Sequence, residues 1–227
     1  MNPKHMNIKI LRLLALLGFS INAASAEAPV VNGNVGAKYS SDYDRRGQVL
    51  SAEALQAQVG FNVGFGEVDV FGDFFTNQST DSTSADTDEA VFGVGTSLFE
   101  NGFNAYLGVY NTEVGSADND LEAFASLQAN VLLSPTFSFY RDTDEALYTF
   151  EGQLSHDLDF ELVDLQVAGV LGTTEATASQ DRTYYGAKFT AARTFKQSLD
   201  VYADVAFSDA DDRGYEAIWG LGLRVQF

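Results

Sequence analysis

The chain has 227 residues, a formal charge of −19 and no cysteine. The missing cysteines exclude a disulfide framework and a thiolate metal site. The charge argues against nucleic acid and anionic lipid surfaces as partners, since both are polyanions, and is compatible with cations, bound or in transit.

The first twelve residues carry Lys4, Lys9 and Arg12 and no acid. An apolar run "LLALLGFSI" (13–21) and an A-x-A site, Ala24-Ser25-Ala26, follow. This predicts a secretory signal peptide over 1–26 and a single β domain over 27–227. Removing its three cations takes the charge to −22 (−19 − 3). No later run reaches the ~18 apolar residues of a transmembrane helix.

Beyond the leader, apolar and polar residues alternate with period 2, the signature of a strand with one greasy face. Twelve such segments can be counted. The first, "VNGNVGAKY" (31–39), sets Val31, Val35, Ala37 and Tyr39 against Asn32, Asn34 and Lys38. In the second, "LQAQVGFNVGF" (55–65), Leu55, Ala57, Val59, Phe61, Val63 and Phe65 oppose Gln56, Gln58, Gly60, Asn62 and Gly64. Segments at 68–76, 90–99, 103–110, 121–133, 136–141 and 146–155 follow. The ninth, 161–172, has the least definite phase; 184–193, 199–208 and the C-terminal "EAIWGLGLRVQF" (216–227) complete the set.

Connections are sorted by length. Tight turns are expected at Gly66-Glu67, Glu100-Asn101-Gly102, Ser134-Pro135, "HDLDF" (156–160) and "TFKQS" (194–198). Asn-Gly is a strong hairpin signal. The intervening connections are polar and mostly longer, from "SSDYDRRGQVLSAE" (40–53) to "DADDRGYE" (209–216). An even strand number with short turns at one end and polar loops at the other predicts an all-β, transmembrane, antiparallel up-and-down β-barrel of about 12 strands, as in outer membranes.

The polar stripes identify the inside. They hold Gly, Asn, Gln, Ser, Thr and Tyr with scattered acids, whereas a water-facing outer surface would be dense in Lys and Glu. The apolar stripes carry almost no mid-strand charge, as expected where a charge at the bilayer midplane costs ~2–4 kcal/mol. Tyr39, Phe65, Phe103, Phe137, Tyr185, Phe207 and Trp219 fall near segment ends and suit interfacial girdles. The stretch Trp219, Leu221, Leu223, Val225, Phe227 resembles the C-terminal signal by which the outer-membrane assembly machinery recognises such proteins.

The stretch Ser41-Asp42-Tyr43-Asp44-Arg45-Arg46-Gly47 resembles the "SDY-x-x-RG" element of the TorF-type porin family of Gram-negative outer membranes. The match covers those seven residues; Gln48-Val49-Leu50-Ser51 then departs from the family's small-polar continuation. The resemblance implies a barrel and a porin role, and it carries over no binding residue.

By strand phase, Lys38, Asp69, Asp73, Glu122, Glu151, Asp164, Lys188, Asp200, Asp204, Glu216 and Arg224 point inward, eight acids against three bases. Acid-rich linings favour cations. Tyr106, Tyr110, Tyr140, Tyr184 and Tyr202 line or partly fill the bore. The expected function is a small, passive, cation-leaning diffusion pore without a cofactor or metal, its partners being the bilayer, lipopolysaccharide, the assembly machinery and small solutes. The alternative is a non-conducting barrel whose acidic loops serve adhesion or envelope structure. No enzyme is expected. Ser155 and His156 are adjacent and so face opposite ways along a strand, a poor nucleophile–base pair. The acidic stretches Asp81 to Glu89 and Asp209 to Gly214 lack full EF-hand spacing and read as solvated loops.

Overall fold

The computed structural model describes residues 28–81, 84–115, 120–144, 147–177, 180–196 and 198–227. The predicted signal peptide lies outside them. The twelve strands are β1 (Val30–Arg45), β2 (Gln48–Phe65), β3 (Val68–Ser79), β4 (Thr87–Leu98), β5 (Phe103–Val114) and β6 (Asp120–Ala129), then β7 (Thr136–Asp142), β8 (Tyr148–Asp159), β9 (Asp164–Thr177), β10 (Gln180–Phe195), β11 (Leu199–Ala210) and β12 (Arg213–Gln226). Each pairs antiparallel with its sequence neighbours, and β12 pairs with β1 to close a barrel. Closure gives the wall's backbone groups strand partners, which hydrocarbon cannot supply.

Polarity runs opposite to that of a soluble protein. Leu107 and Leu171 on the outer face are 58% and 59% exposed, whereas Asp200 and Asn77 inside are 2% and 0% exposed. The cross-strand register carries the phase round the wall. Val35, Val59 and Phe74 lie in one outward row, and Gly36, Gln58 and Phe75 in the adjacent inward one.

Interior glycines make room for interior rings. A Cβ on Gly93 would sit 2.5 Å from Phe71 Cζ and 2.6 Å from the Leu107 carbonyl oxygen. Gly95 lies in the same way against Tyr106, Gly108 against Phe124, Gly172 against Tyr184 and Gly222 against Tyr202. A ring on one strand covers the bare backbone of the next, a recurrent device in β proteins.

All twelve predicted segments are strands, in the predicted order, but several boundaries shift. The sixth ends at Ala129 instead of 133, because Val131, Leu132 and Leu133 belong to the 130–135 turn, with left-handed φ at Leu133 and Ser134. Strand β8 runs on to Asp159, which moves the next turn from "HDLDF" to 160–163. His156 is therefore a strand residue opposite Val167, on the outer face, while Ser155 faces inward. In the β4–β5 turn the left-handed residues are Phe99, Glu100 and Asn101, not Gly102.

The largest departure concerns the predicted loops. Most of "SSDYDRRGQVLSAE" is strand, reduced to a two-residue turn at Arg46-Gly47. "TTEATASQDR" and "DADDRGYE" likewise become strand ends joined by 178–179 and 211–212. The contrast in connection length between the two ends is thus weaker than expected. Polar residues continue the ladders past the apolar band, because strand pairing does not require an apolar face.

Candidate functional site: the lumen and the hairpin across it

The wall positions the interior side chains, and β1 supplies the exception. Its ladder with β12 ends at Ser40 opposite Gly220. One step on, Ser41 Oγ accepts the Trp219 N–H at 3.1 Å, and Ser40 Oγ lies 3.3 Å from the Trp219 carbonyl oxygen. Serine side chains thus take over from backbone where the strand leaves the wall. On β2 the matching point is Glu53, with a left-handed φ of 47°. Its carbonyl accepts both the backbone N–H and the hydroxyl of Thr80, each at 2.7 Å. Beyond these points the β1–β2 hairpin runs inside the barrel.

The hairpin tip is a tight turn with Arg46 at φ 52° and Gly47 at φ 75°. Two successive left-handed residues define a type I′ turn, which favours Asn-Gly or Gly-Gly; the arginine adds strain of ~1–2 kcal/mol. Asp44 Oδ1 accepts the Gly47 N–H at 3.1 Å. A Cβ on Gly47 would lie 2.6 Å from Tyr184 Cβ, so glycine also allows the tip to touch β10.

The contacts of the tip reach several walls. Arg46 Nη1 stands 2.6 Å from Glu122 Oε1 on β6, and its guanidinium lies 4.0 Å from the centre of the Tyr140 ring on β7. Arg45 Nη2 lies 2.9 Å from the other Glu122 oxygen, with Glu89 at 3.8 Å and Asp120 at 3.9 Å. Its guanidinium stacks 4.8 Å from the Tyr110 ring centre. Tyr43 and Tyr110 both donate their hydroxyls to Glu89. On the other side Ser208 Oγ of β11 donates to Asp44 Oδ2 at 3.0 Å. Tyr184, against which Gly47 packs, donates to Glu151 on β8 at 2.8 Å.

The two halves of the lumen differ. Toward β3–β7 it is filled by rings: Phe71 with Tyr106 (6.0 Å between centres), Phe124 with Tyr140 (6.0 Å) and Phe75 with Tyr43 (5.1 Å). A cavity of about 330 Å³ remains there, lined in part by Asp69 and Tyr106. Toward β8–β12 and β1 lies a cavity of about 860 Å³, extending from the hairpin tip at Arg46 and Gly47 down to Arg224 and Gln226.

Charge is unevenly distributed on the larger cavity. Asp42, Asp44, Glu151 and Asp157 line it, as do Asp159, Asp164, Asp200 and Asp204. The bases on it are Lys38, Arg46, Lys188 and Arg224. All four bases have acid partners. Lys38 Nζ is 2.9 Å and Lys188 Nζ 3.4 Å from Asp204, and Arg224 Nη2 is 2.9 Å from Asp200. Asp200 also accepts from Thr194 and Gln226 at 2.7 and 2.8 Å. Asp159 and Asp164 face each other directly across the β8–β9 ladder, a like-charge pairing that costs stability.

The sequence-derived residues fall as follows. Lys38, Glu151, Asp164, Lys188, Asp200, Asp204 and Arg224 line the large cavity, and Asp69 the small one. Asp73 is inward, held by Gln58 Nε2 at 2.8 Å. Glu122 is inward but consumed by the hairpin arginines. Glu216 is exposed, opposite Ser208. Trp219, Leu221, Leu223, Val225 and Phe227 all lie on the outer face, and Phe227 exchanges two backbone hydrogen bonds with Gly33 at 2.7 and 2.9 Å. Sequence reasoning missed Tyr43, Asp44, Arg45, Arg46 and Glu89, all read as loop. Two adjacent arginines in so acidic a chain were the available signal.

No family model matches the chain, and no curated protein matches it. Solved structures do. A KdgM porin in complex with disordered oligogalacturonate superposes with a TM-score of 0.56 at 11% identity, covering 86% of this chain and 99% of that one. An outer membrane channel from Pseudomonas putida F1 gives 0.57 at 10% identity, over 91% and 98%. A NanC porin gives 0.54 at 9% identity, over 85% and 98%. At such identities the likeness is one of fold, the twelve-stranded barrel of outer-membrane proteins.

Proposed function

We propose that this protein is an outer-membrane porin of the TorF type, exported by residues 1–26, that passes small solutes passively with a lean toward cations. The observation that carries the reading is the excess of acids on the large cavity, eight against four bases, each of those bases already matched by an acid. In a narrow lumen with low-dielectric walls such an excess raises the local cation concentration. Oligogalacturonate, named with the KdgM porin, is a polyanion, and an acid-rich cavity is a poor match for it. The passage needs no cofactor and no chemistry. Assembly would depend on the outward stripe ending at Phe227, and the partners would be bilayer lipid, lipopolysaccharide and the permeating ions.

The experiment is single-channel recording of the purified protein in a planar bilayer under a salt gradient. Discrete steps with a reversal potential displaced toward the cation limit are expected. Absence of steps under all conditions would overturn the reading. A second reading, a non-conducting barrel acting through its acidic loops, is favoured by one observation, the hairpin that crosses the lumen.

A further inference from the structure

The segment 41–53 has the features of a moving part. It leaves the wall at two defined points. At one, serine hydroxyls take over the role of backbone partners; at the other, Glu53 has a left-handed φ within β2. Its tip rests on opposite sides of the barrel: on β6 and β7 through Arg45 and Arg46, and on β10 and β11 through Gly47 and Asp44. The attachments are side-chain ion pairs and hydrogen bonds, not ladder pairing to the wall. Glu122, 5% exposed, carries both arginines. The large cavity reaches the tip from the side of the chain termini and is bounded by it.

We propose that the 41–53 hairpin is a gate, drawn here closed, and that the pairing of Arg45 and Arg46 with Glu122 and Glu89 is its latch. Ions cross when the tip swings away about Ser40-Ser41 and Glu53, joining the cavity to the far mouth. The contacts that would have to part include Arg46 from Glu122, Arg45 from Glu122 and Glu89, Tyr43 from Glu89 and Asp44 from Ser208, and, nearer the hinge, Ser51 from Asn77 and the Ala52 carbonyl from Ser79. This inference rests on the pore reading and refines it.

The absence of cysteine from the chain makes the test direct. Asp44→Cys with Ser208→Cys replaces a 3.0 Å side-chain contact by a pair that can be joined by oxidation or by a short bis-maleimide, the joining verified by gel mobility. The joined protein is expected to lose its conductance steps, and reduction of the disulfide to restore them. Glu122→Gln, alone and with Glu89→Gln, is expected to raise the open probability; a latch loss of ~1.4 kcal/mol gives about tenfold. If joined and free forms conduct alike and the glutamine variants match the parent, the gate is wrong and the pore stands. If no form conducts, joined or free, the pore reading itself falls.

Discussion

Arg46 Nη1 stands 2.6 Å from Glu122 Oε1, joining the turn of the first hairpin to the far wall of the barrel. Both side chains are largely withdrawn from solvent, at 15% and 7% exposure. Removing one member of such a pair leaves a buried charge without its partner, which costs ~3–5 kcal/mol where burial is complete. Arg46→Met and Glu122→Gln are each expected to destabilise the folded barrel, the double variant less than their sum. Urea unfolding in detergent or lipid, followed as a double-mutant cycle, should give a coupling of ~0.5–3 kcal/mol. Simple additivity would mean that the pair does not hold the hairpin.

The lumen acids fall into two kinds, and they should respond differently. Asp159 and Asp164 repel each other across β8–β9. Asp159→Asn with Asp164→Asn is expected to move the reversal potential away from the cation limit while leaving stability equal or up to ~1 kcal/mol higher. Asp200 and Asp204 each hold cationic partners inside the wall. Asp200→Asn with Asp204→Asn is expected to lower cation preference too, but with a clear loss of stability. Unchanged reversal potentials in both variants would refute the assignment of these acids to the conducting path.

Gly93 is the position where the packing of the filled half is most exposed to test. Its absent side chain leaves the space for Phe71 and for the Leu107 carbonyl. Gly93→Val is expected to destabilise the barrel by ~1–3 kcal/mol through overpacking. Phe71→Ala in the same chain should recover part of that loss. Equal stability of Gly93→Val and parent, measured by urea titration, would contradict the interior placement of the ring.

The terminal residue should matter more for assembly than for the finished barrel. Phe227 makes two backbone hydrogen bonds to Gly33, and its ring covers that glycine. Deleting Phe227 is expected to reduce the amount of heat-modifiable, membrane-inserted barrel several-fold in cells, while urea-refolded protein still forms it. Equal insertion with and without the residue would show that the outward stripe of β12 is not read.

The wall was legible because both solvents of a membrane barrel write on it. Lipid selects Val59 and Leu223, the lumen selects Gln58 and Arg224, and period 2 follows. The same reasoning explains the misses. The 41–53 hairpin meets lumen groups on both faces, so Tyr43, Asp44, Arg45 and Arg46 show no alternation and resemble a solvated loop. At the other end the turns are themselves apolar. Val131, Leu132 and Leu133 after β6, and Leu162 and Val163 before β9, are exposed and extend the pattern beyond the ladders, which hid where β6 ends and β9 begins. Glu89 lies two residues inside β4, at the end of a run of loop acids, and its inward direction needed the register opposite Phe75.

The central claim is that one stripe of each strand faces hydrocarbon and the other an aqueous lumen. Single cysteines at Ala192 and Ala206, both on the cavity, and at Ala191 and Ala203, on the outer face, test it most directly. In lipid vesicles, a charged aqueous maleimide should label the first two and spare the second two. A lipid-soluble maleimide should reverse the order. Equal labelling of all four, or protection of Ala192→Cys and Ala206→Cys with labelling of Ala191→Cys and Ala203→Cys, would contradict it.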